Sequence, residues 1–209
     1  MDTVKSNASA TSGAPLHPFE GARLASVREF EPLVRDDDAA MVAIAREAME
    51  LCAATLGIVS LMEATEERIL AMVGSPRRTI PRRESLCSHS ILDPYVTVVE
   101  DLSKDPRFER LPYVAGDPFL RFYAGAPILD ATGLPLGTVC VLSPKPQAIS
   151  AKCQLALAGL AEVASAVLET RLLLSDAAAA VRPPRTSQPL QARLDALLVT
   201  LIEPRPSCS

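Results

Sequence analysis

Tryptophan is absent from this chain of 209 residues, aromatic residues make up 4%, and asparagine occurs once, at Asn7. A core must therefore be assembled from Leu, Val, Ile, Ala and Met, and a stacking platform for nucleic-acid bases has little to be built from. Basic excess is missing too. With a net charge of -4 there is no surplus to neutralise phosphates, which argues against nucleic acid as a partner. No stretch approaches the roughly 18 consecutive apolar residues of a spanning helix, because Arg46, Glu47, Glu162 and Glu169 interrupt the longest candidates. Residues 1–14 lack the apolar run of a secretory signal, so the expectation is a cytoplasmic protein with no membrane partner. Five cysteines at unrelated spacings and two histidines, His17 and His89, supply neither a disulfide framework nor a zinc cluster. Most of the cysteines are expected to be reduced, small and hydrophobic in behaviour.

What is present is 48% hydrophobic content, enough to bury the core of one ordinary domain. Residues 1–35, with Gly13, Pro15, Pro18, Gly21 and Pro32 among small polar residues, have the composition of a flexible, extended or loosely docked arm. Residues 36–176 read as the folded domain. Asp36, Asp37 and Asp38 can cap a helix that runs to about residue 55, with Met41, Ile44, Ala48 and Leu51 on one face. Two strands, about 57–63 and 68–73, are expected to turn at Glu66-Glu67. A short helix at 84–92 near Ser85, a strand at 96–99, and a helix starting at Asp105-Pro106 follow. Strands at 120–128 and 136–142 then meet through Asp130-Ala131-Thr132-Gly133, a turn suited to positive φ at Gly133. The longest helix spans about 151–175, with Leu160, Val167 and Leu174 at heptad spacing and Val163 between them. Residues 177–209 read as a Pro-rich linker and a short amphipathic helix carrying Leu190, Leu194, Leu197, Leu198 and Leu201. This order of elements is an α+β fold, a mainly antiparallel five-stranded sheet with flanking N- and C-terminal helices.

Five strings stand in register over about 60 residues: Arg83 to Leu92, Val98-Val99-Glu100-Asp101, Asp105-Pro106-Arg107-Phe108, Arg121-Phe122-Tyr123-Ala124-Gly125-Ala126-Pro127, and Leu136 to Val141. Their words, order and spacing resemble the successive motifs of bacterial-type sensory GAF domains, which share a GAF/PAS-like architecture. The resemblance implies a cavity between the sheet and the short helices that holds a small ligand or none, and terminal helices that pair with a second copy. It also implies service beside output modules such as a histidine kinase, a cyclase or a phosphodiesterase. About 35 residues follow Leu174, too few for such a module, so the expected action is in trans, as a homodimer. Ser143 departs from the Asp common at that position in related domains.

The candidate ligand pocket comprises Cys87, His89, Asp101, Arg107, Phe108, Arg121, Tyr123 and Cys140. Cys87 and His89 on a short helix suggest a nucleophile, a haem ligand or a bilin attachment point, but a helix that must bury Leu86 and Ile91 favours packing or pocket lining. Arg121 and Tyr123 share one face of their strand, Phe122 and Ala124 the other. Alternation alone does not choose the inward face. An anionic ligand would offset a buried Arg121, and the preferred alternative is an internal ion pair with Asp101 or Asp105. Phe108 is the expected core plug and Arg107 a loop clamp. The Asn-Lys signature of cyclic-nucleotide-binding relatives is missing. The reading is a non-catalytic sensory module without a resident cofactor. Its alternatives are a thiol-based reductase resembling free methionine sulfoxide reductases, with Cys87 and Cys140 as the pair, or a haem or bilin sensor.

Overall fold

The computed structural model describes residues 14–35, 38–76 and 79–181. The segment 190–201, Asp36 and Asp37 lie outside the described residues. Six strands form one sheet in the spatial order β3-β2-β1-β6-β5-β4, every neighbouring pair antiparallel. They are β1 (Leu56–Met62), β2 (Glu66–Val73), β3 (Ile80–Pro81), β4 (Thr97–Val99), β5 (Phe122–Leu129) and β6 (Pro135–Ser143). The α+β architecture and antiparallel pairing are as the sequence predicts. The strand count is not: β3 is two residues long, too short to carry an alternation signal, and exists because Glu66 and Glu67 pair with Pro81 and Ile80. The predicted turn at Asp130–Gly133 is present, with the Asp130 carboxylate accepting from the amides of Thr132 and Leu134, and Gly133 at φ +86°.

The sheet separates two apolar layers by period-two alternation. Val59, Leu61, Phe122, Ala124, Ala126, Val139 and Val141 face the long helices. Ile58, Met62, Ile69, Tyr123, Cys140 and Leu142 face the opposite side, beneath short helical turns and loops. One irregularity changes which residues reach that second side. Val59 pairs with Ala71 and Ser60 with Ile69, leaving Leu70 as an extra, bulged residue. Leu70 and Ala71 therefore both join the long-helix layer while Ile69 turns to the other.

Three helices cover the first face: α1 (Glu20–Phe30), α2 (Ala39–Leu51) and α5 (Ala151–Val181). Asp38 caps α2 as predicted, accepting from the amides of Ala40 and Met41, and its other oxygen accepts from Arg171 of α5 at 2.7 Å. The expectation of a loose arm over residues 1–35 fails from Glu20 onward. Arg23, Val27 and Phe30 are buried on one face of α1 at helical spacing, followed by Val34. Pro18 lies just before the helix and Gly21 in its first turn, so the breakers that suggested an arm mark the start of an element. Arg23 donates to the carbonyls of Met62 at 2.7 Å and Pro135 at 3.3 Å, and Glu20 binds both Arg23 and Arg82.

The cysteine expectation is corrected as well. Cys52, at the end of α2, and Cys153, in the first turn of α5, form a disulfide, although 101 residues separate them. Both helices lie on the same face of the sheet, and separation along the chain carries no trace of that meeting. Of the heptad stripe, Leu160 and Val167 pack against the core while Val163 and Leu174 are exposed. The predicted helix at Asp105-Pro106 is a turn instead, flanked by a helical turn at Leu102–Lys104 and by α4 (Pro112–Ala115). The Asp105 carboxylate is taken by the Arg107 amide and guanidinium, an Asx-type turn that competes with helix formation.

Candidate functional site

The second face of the sheet carries a cavity of about 100 Å³. A cavity of about 150 Å³ is enough for benzene, so the space suits a molecule near or below that size. Its floor is β1, β2, β5 and β6, contributing Ile58, Glu67, Met72, Tyr123, Cys140 and Leu142. Its roof includes Leu86 and Cys87 at the start of α3 (Cys87–Ser90), Tyr113 of α4, and Leu120.

Strand pairing brings the polar atoms together. Gly125 pairs with Cys140 and Tyr123 with Leu142 across β5 and β6, which sets Tyr123 and Cys140 on one face. The Tyr123 ring leans along its own strand over position 125, where a Cβ would stand 2.1 Å from the phenol oxygen. Only glycine leaves that space, and this is the steric content of Tyr123-Ala124-Gly125. The phenol lies 2.7 Å from the Ser90 hydroxyl and donates to the Cys87 sulfur at 3.4 Å. Cys87 and Cys140 are a free thiol pair with sulfurs 3.6 Å apart. Burial, then the Cys140 thiol beside it, pushes Cys87 well above the usual thiol range, and burial followed by Cys87 does the same to Tyr123. Thiol and phenol are therefore both neutral near pH 7. A nucleophilic Cys87 requires the opposite, an electropositive setting that stabilises thiolate.

Three of the eight candidate residues, Cys87, Tyr123 and Cys140, line the cavity. Phe108 is buried in the same layer but does not line the cavity. His89 sits edge-on to Phe108 with ring centroids 4.8 Å apart, and the Arg107 guanidinium covers the same ring at 4.7 Å. Burial and then the Arg107 charge lower the His89 pKa. Arg107 is held bidentately by Asp105, a loop clamp as expected. Asp101 caps the turn at Leu102–Lys104, accepting from the Ser103 amide and hydroxyl and pairing with Lys104 at 3.0 Å.

Among the described residues, Arg121 does not form the expected ion pair with Asp101 or Asp105. Its guanidinium donates to the carbonyls of Val114 at 2.8 Å and Leu120 at 2.9 Å and lies over the Phe119 ring. Arg121 precedes the first residue of β5, so strand alternation does not govern its direction. Among the described residues, no group of three or more His, Cys, Asp and Glu is placed to hold a metal ion.

Sequence reasoning missed Glu67. It sits on β2, opposite Met62 of β1 and Ile80 of β3, rather than in a turn, and it lines the cavity with 1% of its surface exposed. The Ser85 hydroxyl donates to its Oε2 at 2.6 Å. No donor reaches its Oε1 among the described residues.

The sequence matches the GAF domain family over residues 38–168. It is 35% identical over 133 residues to the cyclic di-GMP phosphodiesterase PA2567 of Pseudomonas aeruginosa, a match covering 64% of this chain and 23% of that protein. The chain thus spans less than a quarter of that relative's length. The fold is similar to the blue-light absorbing form of the Thermosynechococcus elongatus PixJ GAF domain, with a TM-score of 0.57 and 18% identity over 76% of this chain and 95% of that one. It is also similar to the type II free methionine-R-sulfoxide reductase of Thermoplasma acidophilum, with a TM-score of 0.53 and 18% identity over 63% and 92%. Motifs, sheet order and family match agree, and the chain belongs to the GAF domain family, whose members serve as sensory modules.

Proposed function

We propose that this GAF domain is a non-catalytic sensory module. Its cavity takes a small organic ligand, and its terminal helices convey occupancy to a signalling protein, such as a histidine kinase or cyclase, in the cytoplasm. The observation that carries the reading is the cavity itself: apolar walls with a few convergent polar groups, Glu67, Tyr123 and the two thiols, are the general form of a ligand site. The match within a cyclic di-GMP phosphodiesterase supports a place in signalling for the module. Homodimerisation belongs to the same proposal. It rests on Leu155, Val163, Leu173 and Leu174, which α5 leaves 50 to 76% exposed.

Native mass spectrometry of the purified chain tests ligand and assembly together. A dimer with a bound small molecule, or one that gains mass on exposure to a metabolite extract, is the expected result. A monomer that takes up nothing overturns the proposal.

A second reading has one observation in its favour. The Cys87 and Cys140 sulfurs are close enough for two thiols to reduce a sulfoxide to a sulfide and water, leaving a disulfide between them. Their burial and the raised thiol pKa weigh against it. Turnover of free methionine sulfoxide with a thiol reductant, lost in Cys87→Ser, would establish the enzyme; no turnover in the unmodified chain would dismiss it.

A further inference from the structure

We infer that Glu67 makes the cavity selective for a small molecule carrying a protonated nitrogen, an ammonium or amidinium, on a compact apolar skeleton. The inference rests on the ligand-binding function proposed above and names the chemical class. Burial of a carboxylate is costly unless hydrogen bonds and an opposite charge offset it. Glu67 is 1% exposed, yet a single hydroxyl, that of Ser85, donates to it, and only through Oε2. Its Oε1 lacks a donor among the described residues. Arg82 does not line the cavity; its Nη1 is held by the Glu20 carboxylate and the Glu63 carbonyl, while its buried Nε and Nη2 have no partner among the described residues.

The rest of the wall limits which molecules can satisfy that oxygen. Ile58, Met72, Leu120 and Leu142 accept a hydrocarbon body and offer no partner to a second charge. The Tyr123 phenol and the two thiols are neutral and already engaged with Ser90 and each other. A negatively charged ligand would meet Glu67 without a compensating cation. A neutral hydroxylated one would supply one hydrogen bond and no charge. An ammonium supplies both, and charge-assisted hydrogen bonds are the stronger kind. At about 100 Å³, the cavity suits skeletons of roughly four carbons before its roof must move.

The test uses three probes of one skeleton, isobutylamine, isobutanol and isobutyrate, titrated at millimolar concentration into the full chain and followed by amide chemical shifts. The expected result is saturable shifts at Ile58, Gly125 and Cys140 with isobutylamine, roughly tenfold weaker binding of isobutanol, and none of isobutyrate. In Glu67→Gln the amine should lose its advantage while isobutanol binds as well as before. Equal binding of amine and alcohol to the unmodified chain would overturn the selectivity and leave the ligand site standing. Isobutyrate binding more tightly than the other two would overturn it in the same way. If none of the three binds but native mass spectrometry finds another small molecule bound to the chain, the assigned class is wrong although the sensory function survives. Failure of both measurements removes both. The comparison within the unmodified chain does not depend on the variant folding.

Discussion

Glu20 holds α1 to the sheet. Its Oε1 binds Arg23 at 2.7 Å and also pairs with Arg82, and both arginines are buried. Burial alone would raise its pKa, but the hydrogen bonds and charges of Arg23 and Arg82 outweigh burial and hold it down at about 2. A carboxyl whose folded pKa lies below its unfolded one stabilises the fold above the unfolded value. That contribution should be complete above about pH 4.5 and disappear as pH falls toward 2. Glu20→Gln strands two buried cations and is expected to lower stability at pH 7 by roughly 3 kcal/mol. The gap between urea melts of the two proteins should narrow as pH falls from 7 to 3 and close toward pH 2; a constant gap across that range would rule out the titration. That Cys87, Tyr123 and Cys140 line the cavity is legible because their motifs place a short helix and the last two strands. Glu67 was not, since the bulge at Leu70 reverses the alternation that a sequence pattern assumes and two adjacent glutamates resemble a turn. The Cys52–Cys153 bond was illegible for a different reason, as it depends on where two distant helix ends meet.

At the scale of elements, the sequence specifies α2, α5 and five strands, whose periodicities are long enough to detect. It conceals α1, whose buried face includes an arginine and lies among breakers. The disulfide ties α2 to α5 across a sequence separation of 101, and closing so long a loop in the unfolded chain is worth about 4.7 kcal/mol in the chain-entropy account. Reduction, or Cys52→Ser, should lower the unfolding free energy read from urea melts by several kcal/mol. The number of thiols titrated in denaturant should rise by two after reduction. An unchanged count would show that the pair is not bonded in solution. The same count on protein alkylated within cells bears on the proposed cytoplasmic location, because structural disulfides persist in oxidising compartments.

For the whole molecule, no described helix is long and apolar enough to cross a membrane. The sheet sends its two layers different tasks: one face buries the long helices, and the other encloses the cavity. Dimerisation through α5 is testable at this scale. Val163→Glu and Leu173→Glu replace exposed side chains, so each should alter monomer stability by about 0.5 kcal/mol or less. Together they should convert a dimer to a monomer in light scattering coupled to size exclusion; a variant that remains dimeric would move the interface elsewhere. The edges of the sheet bear on the same question. One edge strand, β3, has two residues and the other, β4, three. Pro81 further removes an amide donor from the shorter edge. A template this brief gives an incoming strand almost no ladder to extend. The domain is thereby guarded against edge-to-edge polymerisation, and the proposed dimer would have to form through helices.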